Sequence, residues 1–303
     1  MTVNDYSERF FGLPVVEFRS GEKVTRTGVV YRLMQDYEAP QSQRELLDEF
    51  LGQVSRDSIE ALIIGSWSEA ATGVPPDGFL EALVEYRLPY LKALFVGDMV
   101  CEDSEISWIN QTDYTALLKA YPDLEVLRIR GGTVLKFPVT EHRGLRELTI
   151  ETGGLENSVV DAIANSKLPA LTHLELWLGT DGYGFDGDLA TYQNLLTKID
   201  PERLDYLGLR NSEIADELAT YLAAQPWLAS LDTLDLSMGT IGNVGAKALL
   251  QSPYLYNLDT LDLRHHYISD ALVTQLRALP LNVTIDKAEG EDDDEDRYVQ
   301  VGE

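Results

Sequence analysis

The chain of 303 residues carries 51 acidic against 24 basic side chains, a formal net charge of -27, with 44% of its residues hydrophobic. That balance argues against a nucleic-acid or anionic-membrane surface, which needs clustered Lys and Arg, and the apolar fraction argues against a disordered chain. One cysteine, Cys101, excludes an intrachain disulfide framework.

The N-terminal stretch MTVNDYSERFFGLPVVEF has no apolar run behind a basic start, so it does not read as a signal peptide. No apolar run approaches the roughly 20 residues that span a bilayer. A soluble, cytoplasmic protein is expected. Residues 1–54 read as an N-terminal β-rich cap and first helix, because LPVVEF (13–18) and VTRTGVVYRL (24–33) favour strands. A hairpin made there would shield the first strand of a repeat array.

From 55 to 286 a frame L-x-x-L-x-L recurs, with Ile or Val allowed. It stands at Ile59-Leu62-Ile64, Leu91-Leu94-Val96, Leu124-Leu127-Ile129, Leu145-Leu148-Ile150 and Leu171-Leu174-Leu176. It continues at Leu204-Leu207-Leu209, Leu231-Leu234-Leu236 and Leu258-Leu261-Leu263, with a weaker closing unit at Val283 and Ile285. LDTLDL occurs twice unchanged, 27 residues apart. The last two apolar positions of each frame lie two apart and so share a strand face. Segments such as ELATYLAA (217–224) and AKALLQS (246–252) between frames have helical periodicity. Strand, turn and helix repeated with short links predict an α/β fold of nine parallel strands covered by helices. Leu62, Leu94, Leu127, Leu148, Leu174, Leu207, Leu234 and Leu261 should form one buried row.

These units resemble the leucine-rich-repeat superfamily, in the ribonuclease-inhibitor-like class. The resemblance implies a solenoid with the curved parallel sheet on its concave face and helices on its convex face. The tracts EISWINQTDY (105–114), RIRGG (128–132), IETGGL (150–155), LELWLG (174–179) and RYVQVGE (297–303) also resemble an uncharacterised bacterial leucine-rich-repeat family, which implies no reaction. One departure stands out. The place that usually holds Asn or Cys holds Gly132, Gly153, Gly179, Ser212, Gly239 and His266, so other groups must satisfy the turn backbone.

The residues flanking the second and third apolar positions should project from the concave face. The first two strands then present Ala61 and Ile63, and Ala93 and Phe95, with Ile63 and Phe95 expected under the cap or a loop. The central strands present Arg128 and Arg130, Glu147 and Glu151, His173 with Glu175 and Trp177, and Tyr206 with Arg210. Adjacent strands lie about 4.8 Å apart, so Arg130 should neighbour Glu151, Glu147 should neighbour His173, and Trp177 should lie beside Glu151 and Arg210. Trp, Tyr and Arg anchor interfaces; the alternative is a sheet that neutralises itself with weak ion pairs. Asp235 and Asp262 should fall side by side, compensated by Arg210 and Arg264 or by a cationic group of a partner.

Other chemistry is weaker. GTDGYGFDGD (179–188) lacks calcium-loop ligand order, Asp98, Glu102, Asp103 and Glu105 suit a solvated turn, and His265-His266 suits backbone capping better than a metal. No cofactor or metal site is expected. The function expected is non-enzymatic binding of a basic or mixed-charge protein partner through Arg128, Arg130, Glu147, Glu151, His173, Glu175, Trp177, Tyr206, Arg210, Asp235 and Asp262. The alternative is an enzyme or enzyme subunit with a site near the glycine turns of the third to fifth frames, where Glu147 and His173 would be the acid-base pair. Residues 287–303 form an acidic C-terminal tail, with nine acids against two bases over 286–303. A solvated tail is the plain expectation, although the alternation of Tyr298-Val299-Gln300-Val301 also suits a short strand added to a sheet edge.

Overall fold

Two apolar residues spaced by one polar position can bury a single face of an extended chain. In the computed structural model, which describes residues 3–290 and 297–302, a strand sits on every frame. The described chain divides into two compact units, one running to Glu151 with 166–170, the other built from Thr152–Asn165 and Leu171–Gly302.

The N-terminal unit holds β1 (Arg9–Phe10), β2 (Leu13–Phe18), β3 (Val30–Leu33), β4 (Ala61–Ile64), β5 (Ala93–Val96), β6 (Val126–Arg130) and β7 (Glu147–Glu151). Its helices are α1 (Gln43–Leu51), α2 (Asp77–Tyr86) and α3 (Thr115–Ala120). From β2 onward each strand pairs in parallel with the next, and Leu62, Leu94, Leu127 and Leu148 stand in register. The C-terminal unit holds α4 (Asn157–Ala164), β8 (His173–Gly179), α5 (Leu189–Lys198), β9 (Tyr206–Ser212), α6 (Ala215–Ala223), β10 (Thr233–Asp235), α7 (Asn243–Gln251), β11 (Thr260–Asp262), α8 (Asp270–Arg277) and β12 (Asn282–Thr284). Here Leu174, Leu207, Leu234, Leu261 and Val283 stand in register with one another. All eight leucines expected in that row are fully buried, so truncating a central one to Ala should cost about 2–5 kcal/mol.

The strand count is larger than the frame count. Twelve strands occur among the described residues, because β1 to β3 lie outside the L-x-x-L-x-L pattern. The expected hairpin also forms differently. β1 runs antiparallel to β2 through a turn at Phe11 and Gly12, both with positive φ, and β2 then joins the parallel series on β3. Residues 24–29 add no strand. The cap nevertheless covers the apolar start of the sheet: Phe10, Phe11, Leu13 and Val15 pack on Ala61, Ile63, Ala93 and Phe95.

The turns without an Asn ladder are closed by other means. Bonds run from turn to turn, Asn211 N to Ser237 O at 2.9 Å and Met238 N to Arg264 O at 2.8 Å. Side chains complete them: Gln111 Nε2 donates to Arg130 O at 2.7 Å, and His266 Nδ1 accepts from Ile268 N at 3.0 Å. The loop 179–188 is likewise structural at its end, since Asp188 caps α5 in a capping box with Thr191.

Candidate functional site

A parallel pair of strands brings equivalent side chains of successive repeats together, so charges at one position in several frames must be paired or pushed outward. In the N-terminal unit they are paired and buried. Glu151 on β7 accepts from Arg128 and, at 2.6 Å, from Arg130, both on β6. Arg130 also donates to Met99 O at 2.5 Å and approaches Asp98 at 3.5 Å. Asp98 is held by Arg32 of β3 at 2.7 Å and by Ser7 N at 3.3 Å. Asp98 and Glu151 are fully buried, and Phe95 lies beneath Arg128 and Arg130, 4.6 and 5.3 Å from their guanidinium carbons. Of this network, the Arg128 side chain keeps 31% of its surface exposed. Glu147, at the start of β7, is exposed.

In the C-terminal unit the same frame positions build a second network. Glu175 on β8 accepts from Trp177 Nε1 and from Arg210, each at 2.7 Å, and from the Tyr206 hydroxyl at 3.1 Å. Arg210 on β9 spans to Asp235 on β10 at 3.3 Å, to Ser237 at 3.0 Å and to the Met238 sulfur at 3.0 Å. Burial works against the charge on Arg210, but Glu175 and Asp235 outweigh it and hold its pKa above the ordinary value. Burial pushes the Tyr206 hydroxyl well above its ordinary pKa, and the carboxylates of Glu175 and Asp235 push it further. The His173 ring stacks on Tyr206 with centroids 4.0 Å apart and planes 6° apart, and its Nε2 lies 3.8 Å from Glu175. Asp235 and Asp262 are in register, as the frame requires, and Asp262 is clasped by Arg264 at 2.6 Å. The hydrogen bond that Arg264 donates to Asp262 is the first cause of its raised pKa.

The expected neighbours Arg130–Glu151 and Trp177–Arg210 both stand in register. Trp177 differs from its expected role. It is 7% exposed, with the Arg210 guanidinium over its ring at 5.1 Å and its indole N–H turned to Glu175. It cannot serve as an exposed anchor. Arg130, Glu151, Glu175, Asp235 and Asp262 are buried too. His173, Tyr206 and Arg210 are half-buried, and Arg264, with 53% of its side chain exposed, stands furthest out. The surface-exposed tryptophan is instead Trp108, 59% exposed, in the loop after β5. Sequence reasoning missed Arg32 as a member of the first network and took Asp98 for a solvated turn residue. The signal lay in a single arginine within the apolar run VYRL, which needs a buried acid to answer it.

Among the described residues no cluster of three His, Cys, Asp or Glu side chains is placed to hold a metal, and no helix is long and apolar enough to cross a membrane. Asp103, expected in an acidic turn, accepts from the Tyr6 hydroxyl at 2.6 Å.

No family model matches the chain, and no curated protein matches it either. Among solved structures, the chain is similar to the crystal structure of a protein from Bacteroides fragilis. The two are 29% identical with a TM-score of 0.76, over 84% of this chain and 72% of the other.

Proposed function

We propose that this is a leucine-rich-repeat protein that binds another protein, of basic or mixed charge, through the frame-flanking face of its C-terminal unit. The repeated frame, its fully buried leucine row and the parallel strand order support the repeat class. The observation that carries the binding role is the His173–Tyr206 stack, half-exposed and fixed from behind by Glu175, Arg210 and Asp235. A flat aromatic surface whose rotamers are already locked loses little entropy on contact, the property that makes Tyr and Arg frequent hot spots. Asp235 and Asp262 lie just beneath this surface, paired with Arg210 and with the outlying Arg264. Both signs of charge therefore lie at or close under it, which suits a mixed-charge partner better than a purely cationic one.

Affinity capture from the source cells tests this with two baits, the unaltered chain and a His173→Ala, Arg264→Glu variant. A partner held by the first and lost by the second, with equal bait stability, is the expected result. A partner held equally by both would place the contact elsewhere.

A further inference from the structure

Among the described residues, 297–302 pair with no strand and are held against the C-terminal unit. Residues 297–302 cross three successive turns of the C-terminal unit. Val301 N donates to Asn211 Oδ1 at 2.9 Å, and the Asn211 amide donates back to Val301 O at 2.5 Å. Gln300 N donates to Met238 O at 2.8 Å. Tyr298 O lies 2.9 Å from His265 Nε2, and Tyr298 N donates to the Tyr267 hydroxyl at 3.1 Å. Arg297 donates to Asp216 at 2.8 Å and to Thr240 O at 3.0 Å. Val299 and Val301 are buried while Tyr298 is exposed. The acidic run expected to act as a tether, 291–296, lies outside the described residues.

The three turn residues beneath this segment share a second property. Asn211, Met238 and His265 recur at intervals of 27 residues and all have left-handed backbone, with φ of 54°, 68° and 58°. The turns after β6 and at the end of β8 place glycine in that region, Gly131 and Gly179. A non-glycine residue there costs roughly 1–2 kcal/mol, less for Asn. Strain of this kind persists where a side chain is needed for a contact. At 211 and 265 that side chain is the one that grips the passing backbone, and at 238 the sulfur holds Arg210 while the carbonyl holds Gln300.

We propose that the turn row Asn211–Met238–His265 is a recognition groove for an extended peptide, filled here by the chain's own residues 297–302. The groove's chemistry defines what it accepts. Asp216 and Thr240 O take a cationic side chain, two apolar seats take β-branched residues spaced by one, and the asparagine amide reads a backbone N–H and C=O together. An unstructured segment of another protein carrying the pattern basic–aromatic–Val–x–Val fits it, in competition with the chain's own end.

The test uses the full-length chain with Val299→Ser and Val301→Ser, which empties the apolar seats, and a fluorescent synthetic heptapeptide RYVQVGE as probe. The variant should bind the probe saturably, and the unaltered chain at least about tenfold more weakly, since its groove is filled. Adding Asn211→Gly to the variant should weaken probe binding by about tenfold, the loss of roughly two hydrogen bonds, while the melting temperature holds or rises because glycine relieves the strained φ. Dimers of the unaltered chain linked by exchanged ends would also support the groove, with a second copy as the occupant. A folded variant that binds no probe overturns the proposal. So does a variant that fails to fold, because the segment would then be part of the core and not a ligand.

Discussion

The two charge networks both draw on frame-flanking positions, the first joined by Arg32 and Asp98 from outside the frame, and their difference lies in what closes over them. In the N-terminal unit Arg32, Arg128 and Arg130 face Asp98 and Glu151, with Ser7 from the segment preceding β1 completing Asp98. Both carboxylates there are taken up by internal partners, and Phe95 fills the space between. In the C-terminal unit Glu175, Asp235 and Asp262 hold Arg210 and Arg264, but the outermost layer is an aromatic stack and a half-exposed guanidinium. The first network fixes a fold. The second fixes a surface. Burial of an ion pair is weak evidence for stability by itself, so the contrast is tested by disrupting each network and comparing what is lost.

The largest effects should come from the buried members. Glu151→Ala leaves two guanidiniums facing each other without their acid, and should destabilise the chain by about 3–5 kcal/mol in chemical denaturation. Trp177→Ala in the other unit should cost a similar amount, about 3–5 kcal/mol, by opening a cavity beside Arg210. A near-neutral Trp177→Ala would mean that the ring is more exposed than its packing shows, and would return it to the contact surface.

An intermediate effect is expected at Tyr206. Its hydroxyl donates to Asp235 at 2.8 Å, and Tyr206→Phe should cost about 1–3 kcal/mol by leaving a buried acceptor short of a donor. The same residue sets a pH dependence. Its folded pKa lies above the unfolded value of about 10, so its contribution is complete below about pH 10 and is lost as the pH rises beyond it. Tyr121, pushed up to about 12 by burial, acts in the same direction in the N-terminal unit. Tyr206→Phe should therefore flatten the alkaline loss of stability measured upward from about pH 10. An unchanged alkaline slope would separate Tyr206 from the carboxylates that surround it.

The smallest effect is expected at Arg264, whose half-exposed side chain clasps Asp262. Arg264→Ala should change thermal stability by no more than about 1 kcal/mol. A larger loss would show that the second network is structural like the first.

How much of this was legible depends on whether the cause was local. The leucine row was readable because a two-residue spacing fixes a strand face, and strand register then comes from equivalent frame positions. Of the first three strands, β2 and β3 were legible as strand-favouring tracts. β1 and the parallel pairing of β2 on β3 were not, because these strands lack the frame and are defined by pairing with one another. Trp177 looked like an anchor because the residues that cover it, Arg210 above all, come from the next repeat and close on it only when their acids are placed. The alternation of Tyr298 to Val301 suggested at most a strand added to a sheet edge, with a solvated tail the plainer expectation. The segment's seat across three turns could not be read from one strand's pattern. It depends on φ values that Asn211, Met238 and His265 adopt against their ordinary preference.

The contrast between the units stands or falls on one point: the aromatic and guanidinium edge of the second network is a contact surface, while the first network is internal support. Titration calorimetry with the captured partner tests it directly, using the unaltered chain, the His173→Ala, Arg264→Glu variant, and an Arg143→Glu control whose exposed charge lies outside both networks. Binding should be unchanged for the control and weaker by at least about tenfold, or about 1.4 kcal/mol, for the variant, with all three chains equally stable. Equal affinity across the three would contradict a contact role for that edge.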